Sequence, residues 1–154
     1  MITLIKRIKD LRFFSRQVEP ETPWQRIAWW EMRRLPYNLL VGAAGIVSLA
    51  FVLISGAIAE KMTGLPFGMP DPPLFALAGI LVYGILANVC YTGGWIAELL
   101  AAKIWGNAGS SFGIISFTLG LLFSLFLTLS IGMCISALNV VQILLHMAGY
   151  PSIE

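Results

Sequence analysis

Trp29-Trp30-Glu31-Met32-Arg33-Arg34-Leu35-Pro36-Tyr37-Asn38 decides how this chain is read, because it stands directly before residues 38–59, a run of 22 positions without Lys, Arg, Asp or Glu. As helix that run extends about 33 Å, enough to cross a hydrocarbon layer of about 30 Å with a little tilt. A collar of Trp, Arg and Tyr in front of it is what the headgroup zone selects: amphipathic rings and long cationic stems sit between oil and water. Eight of the ten Lys and Arg lie before residue 37, together with four of the eight acidic residues. The remaining residues, 37–154, hold only Lys61, Lys103, Glu60, Asp71, Glu98 and Glu154. With 58% hydrophobic residues, 12% charged residues and a mean hydropathy of +0.83, the 154-residue chain departs from soluble domains, where about a quarter of residues are charged. The fold class expected is all-α: a polytopic transmembrane helical bundle, with residues 1–36 as a cytoplasmic amphipathic and juxtamembrane region and 37–154 as the bundle.

Before the collar, Met1, Leu4, Ile5, Ile8 and Leu11 recur at helical spacing among Lys6, Lys9, Asp10 and Arg12. This predicts a short amphipathic helix lying on an anionic leaflet. No apolar core with a small-residue cleavage site is found there, so no secretory signal is expected; a transit peptide competes, but Asp10 and the scarcity of Ser weigh against it. Thr22, with Pro23 and Gln25 behind it, has the spacing of a capping box that opens a second helix. Pro36 predicts a kink between that helix and the first span.

Beyond residue 59, Thr63 to Pro73 contains Pro66, Pro70, Pro72, Pro73 and two glycines, a loop signature. A second span is expected over residues 74–93, weakened at Gly93-Gly94 and continuing as far as Lys103 in the longest reading. Residues 112–150 then hold 39 positions without a charge, about 58 Å as one straight helix. Two readings follow. Either the chain turns near Ser130-Ile131-Gly132 and makes spans at 112–130 and 132–149, four spans in all, or a third span continues into an interfacial C-terminal helix. Ser116, Gly120, Ser124, Thr128, Gly132 and Ser136 form a four-residue ladder of small side chains suited to helix packing, and favour continuity. The apolar character of 138–148 favours the four spans taken here. Lys and Arg before the first span, and Lys103 after the second, place the N-terminus in the cytoplasm by the positive-inside rule. All five Trp then fall at that one interface.

Chemistry is harder to find. The chain has one histidine, His146, which excludes bis-histidine haem ligation, and two cysteines, Cys90 and Cys134, without metal-ligand spacing. The two thiols read as buried and too far apart in depth to pair. A Gly-x-Ser-Gly motif of the kind used by rhomboid-like proteases is absent, and so is any nucleotide-binding Gly loop. No catalytic residues, metal or cofactor are expected, nor nucleic acid as a partner, and the chain is not read as an enzyme. One polar constellation stands out: Glu31, Arg34, Tyr37 and Asn38 of the collar, and Asn88, Tyr91, Thr92 and Glu98 of the second span, fall at similar depth with Ser111 and Ser116 near the cytoplasmic face. It is either a hydrogen-bonded network that holds helix register or a site for a lipid headgroup or small polar ligand. Glu98 is expected to pair with Arg33, Arg34 or Lys103.

Trp30-Glu31 with Arg34 and Tyr37-Asn38, Asn88 with Cys90-Tyr91-Thr92, and Phe123-Ser124 with Leu127-Thr128 resemble stretches of small multi-span bacterial membrane proteins of unassigned function. The resemblance implies the bacterial inner membrane and adds nothing on mechanism. The small-residue ladder points to an accessory or scaffold subunit acting through helix–helix association, as a homo-oligomer or within a larger membrane complex, surrounded by membrane lipids of anionic character. The alternative is a small channel or carrier for a neutral or lipid-like substrate, lined by Gly84, Asn88 and Thr92.

Overall fold

The structure, a computed structural model, describes residues 22–66, 74–106 and 112–149. Among them are three helices and no strand: α1 (Pro23–Thr63), α2 (Leu74–Trp105) and α3 (Phe112–Met147). All three are long and apolar enough to cross a membrane. The amphipathic helix expected over 1–14 lies outside the described residues.

α1 begins as its residues dictate. The Thr22 backbone N–H donates to Gln25 Oε1 at 3.2 Å, and the Gln25 N–H donates to Thr22 Oγ1 at 3.3 Å, a reciprocal capping box with Pro23 in the first turn. The helix runs through Pro36 without interruption for 41 residues, about 61 Å. Headgroup helix and first span are thus one element, and Leu35 is helical where an exit from helix was expected. Gly64 closes α1 with φ +73°, its N–H donating to the Glu60 carbonyl at 2.9 Å, a left-handed cap that a side chain would strain.

The four-span expectation is corrected by α3, which is continuous for 36 residues through Ser130-Ile131-Gly132. No proline interrupts that stretch. In apolar surroundings, breaking the helix there would strand backbone N–H and C=O groups with no water to receive them. The other reading, a third span that continues toward the C-terminus, matches this continuity, since the same helix reaches Met147. α2 likewise passes through Gly93-Gly94 to Trp105.

The described chain divides into two compact units. One takes the residues up to Leu39 together with Tyr83–Phe123; the other takes Leu40–Val82 with the residues from Ser124 onward. In the first, α1 and α2 run antiparallel, because partners descend along α2 as they climb along α1: Trp30 with Glu98, Arg34 with Thr92, Asn38 with Asn88. Its core is Trp29, Trp30, Tyr37, Tyr91, Ala101, Phe117 and Leu121, with Glu98 buried among them.

In the second unit α1 and α3 run parallel. Asn139 Nδ2 donates to Ser55 Oγ at 2.9 Å, Gly132 lies on Ser48, and Gly45 faces the Thr128 methyl. The contact at Gly132 is backbone on backbone: a Cβ built there would stand 2.7 Å from the Ser48 carbonyl oxygen and 3.0 Å from its Cα. Helices approach this closely only where one of them has no side chain, and dispersion and polar contacts then hold them where lipid offers no hydrophobic drive. By contrast, residues 77–82 of α2 are all exposed.

Candidate functional site

The first unit contains a buried carboxylate on α2 held by two side chains of α1 and pressed on α3. Arg26, Trp29, Trp30, Arg33 and Tyr37 follow the 3–4 spacing of one α1 face, and Tyr91, Gly94, Glu98 and Ala101 follow the same spacing on α2. Glu98 is 1% exposed. Its Oε2 accepts from Trp30 Nε1 at 2.6 Å, and its Oε1 accepts from Arg26 Nη1 at 3.0 Å. Both donors come from α1. Gly113 of α3 makes room for the carboxyl group: a Cβ there would stand 2.6 Å from Glu98 Cδ. Gly94 does the same for Trp30, whose Cη2 lies 2.8 Å from where a Cβ would be.

Around this ion pair the aromatic rings interlock edge to face. Trp30 meets Tyr91, Phe117 and Trp29 at centroid separations of 5.2, 5.6 and 5.7 Å with interplanar angles of 77–82°. That arrangement sets the positive ring edge against the negative face and adds about 0.5–1.5 kcal/mol per pair beyond burial. The Tyr91 hydroxyl donates to the Trp30 carbonyl, and Tyr37 lies on Tyr91 at 4.7 Å. Arg33 covers the Trp29 ring at 4.1 Å and donates to the Trp29 carbonyl at 3.0 Å. A buried carboxylate with both oxygens hydrogen-bonded and its surroundings close-packed is equipped to lock three helices together.

A second arrangement lies on the outside of the same α1–α2 pair. Arg34 Nη2 donates both to Glu31 Oε1 at 2.7 Å and to Thr92 Oγ1 at 3.1 Å. The Thr92 hydroxyl donates to the Asn88 carbonyl at 2.9 Å. Asn88 and Asn38 exchange amide hydrogen bonds of 3.0 and 3.3 Å, and Asn88 also donates to the Gly84 carbonyl at 3.0 Å. Glu31, Arg34, Thr92, Asn88 and Asn38 thus form a polar track along the pair, with Asn38 and Glu31 exposed.

The eight residues expected to share a polar layer therefore separate into two. Glu98, Tyr91 and Tyr37 are in the buried cluster, while Glu31, Arg34, Asn38, Asn88 and Thr92 are on the track. Glu98 is paired with Arg26, a partner outside the expected set of Arg33, Arg34 and Lys103; Arg26 stands one turn before Trp30 on the same face of α1. Trp29 and Trp30 are core residues, whereas Trp24 and Trp105 are exposed as interfacial rings would be. Arg26, Phe117, Gly94 and Gly113 were not expected at the site from the sequence. Their signal was available in the Arg26-Trp30 and Tyr91-Gly94-Glu98 spacings, which place a Glu on an aromatic and glycine face.

The ladder on α3 is used in part. Thr128 and Gly132 are buried and Gly120 is exposed, with Ser116, Ser124 and Ser136 between. Cys90 and Cys134 are exposed, correcting the expectation that they are buried. Among the described residues no group of three or more His, Cys, Asp or Glu could hold a metal ion. No family model, curated protein or solved structure matches the chain.

Proposed function

We propose that this chain is a bacterial inner-membrane protein, its N-terminal end cytoplasmic, that acts without catalysis as an accessory or scaffold subunit through helix–helix association. The observation that carries the reading is residues 77–82 of α2, Leu-Ala-Gly-Ile-Leu-Val, every one of which is exposed over nearly two turns. A Cβ on Gly79 would meet nothing within 4 Å. That surface is apolar, and no helix among the described residues lies upon it. Basic residues Arg33 and Arg34 on the first turns of α1 suit an anionic leaflet, where a nearby cationic side chain gains about 1 kcal/mol.

Crosslinking in native membranes tests the association. With Cys90 and Cys134 replaced by Ser, Gly79→Cys or Ile80→Cys is expected to give a product heavier than the monomer under a short bifunctional thiol reagent, and the same reagent on Glu60→Cys is not. A strictly monomeric product from all three variants defeats the association. The carrier reading has less support, because Asn88 and Thr92 are engaged by Asn38 and Arg34 across the helix pair.

A further inference from the structure

We propose that the outward track on the α1–α2 pair binds the phosphoethanolamine headgroup of a zwitterionic phospholipid. Three groups on the track retain unused hydrogen-bonding capacity. Glu31 accepts from Arg34 through Oε1 and leaves Oε2 without a partner among the described residues, with the side chain 44% exposed. Arg34 makes both its hydrogen bonds from Nη2, which leaves Nη1 without a partner there, and its buried Nε has none either. Asn38 donates one amide hydrogen to Asn88 and has a second to offer.

These residues share one face. Steps of three and then four residues return to within about 60° around the helix, with rises of about 4.5 Å from Glu31 to Arg34 and about 6 Å from Arg34 to Asn38. Read from the charged end of α1 toward its apolar run, the track presents an anionic acceptor, a cationic donor and a neutral donor. A phosphatidylethanolamine entering a bilayer presents, from water inward, an ammonium donor, an anionic phosphate and ester carbonyl acceptors. The two sequences are complementary in charge and in order. Exposed Leu35, Leu39, Ile85 and Val89 on the same unit offer apolar surface to the acyl chains.

Arg34 is already oriented, its guanidinium 5.1 Å over the Tyr91 ring and tied to two acceptors. A planar fork held in place loses less freedom on meeting a phosphate than a free side chain does. The Glu31 carboxylate discriminates. It repels a headgroup of net negative charge and finds no N–H on the trimethylammonium of phosphatidylcholine. This selectivity differs from the diffuse attraction of a basic helix to anionic lipid.

The proposal rests on the membrane location proposed above, but its test reads headgroup preference in a purified protein, so it can fail while that location stands. Full-length protein in mild detergent is mixed with equal amounts of dioleoyl phosphatidylethanolamine, phosphatidylcholine and phosphatidylglycerol, and retained lipid is measured by native mass spectrometry. Phosphatidylethanolamine is expected in about two- to fivefold excess over each of the others, the range an exposed ion pair supplies. Glu31→Gln is expected to bring the ratio to phosphatidylcholine close to one while the thermal midpoint holds. Glu60→Gln, an exposed glutamate at the other end of α1, should leave the ratio intact. Equal retention of the three lipids, a preference for phosphatidylglycerol, or a preference that survives both Glu31→Gln and Arg34→Gln overturns the site. Free phosphoethanolamine, which lacks acyl chains, is expected not to displace the lipid; displacement would assign the track to a soluble phosphomonoester and overturn the lipid.

Discussion

Glu98 shows how much a single buried charge depends on its surroundings. With Arg26 on one oxygen and the Trp30 indole on the other, the carboxylate is compensated, and removing it leaves a guanidinium and an N–H without their acceptor. Breaking such a pair from one side costs about 3–5 kcal/mol. Glu98→Ala is therefore expected to lower the thermal unfolding midpoint in detergent sharply. Trp30→Phe, which keeps an aromatic ring but drops one charge-assisted hydrogen bond, is expected to cost about 1.5–3 kcal/mol. A Glu98→Ala protein that melts like the parent would show that the cluster contributes nothing to stability. The identity of the acid was legible in the sequence; its burial was not. At the end of an apolar span a Glu reads as interfacial, and only the arrival of Gly113 on α3 and the two donors on α1 makes a dry position tolerable.

Along α3 the four-residue ladder misleads for a geometric reason. A step of four residues advances about 400°, so each rung is displaced by about 40°, and the five steps from Ser116 to Ser136 wind about 200° around the helix. No straight neighbour can touch every rung. The residues that are buried, Gly113, Phe117, Leu121, Thr128, Gly132 and Asn139, instead mix spacings of four and seven and hold one face. Two glycines of the ladder then part company. Gly132→Ala forces a methyl into the Ser48 backbone and is expected to destabilise by about 1–3 kcal/mol. Gly120→Ala meets nothing within 4 Å, and should be neutral or stabilising by up to about 1 kcal/mol through helix propensity. Chemical or thermal denaturation of the pair of variants reads the difference; equal losses would restore the ladder as a single packing face. At Pro36 the helix continues, so missing a donor was not enough to end an element whose face is packed on both sides of the proline, at Trp30, Tyr37 and Val41.

Three helices that each cross once would put residue 22 and residue 149 on opposite sides of the membrane, whereas four spans would return them to the same side. Single cysteines at Thr22 and at Ala148, in protein with Cys90 and Cys134 replaced by Ser, are expected to label from opposite faces with a membrane-impermeant thiol reagent; labelling from one face alone would revive a turn within α3. By itself the sequence determined that the chain is helical and apolar enough for a membrane, where α1 starts and which residues are chemically notable, because composition, capping and span length are local properties that backbone hydrogen bonding enforces wherever water is excluded. Only the tertiary structure decided that the long uncharged run is one helix, that Trp29 and Trp30 are core, and that the collar separates into a buried ion pair and an outward track. Those outcomes depend on the rotation of each helix about its axis. That rotation is set by which glycine lets a neighbour approach, at Gly94, Gly113 and Gly132, and such a choice involves residues on different helices, some 15 to 84 positions apart.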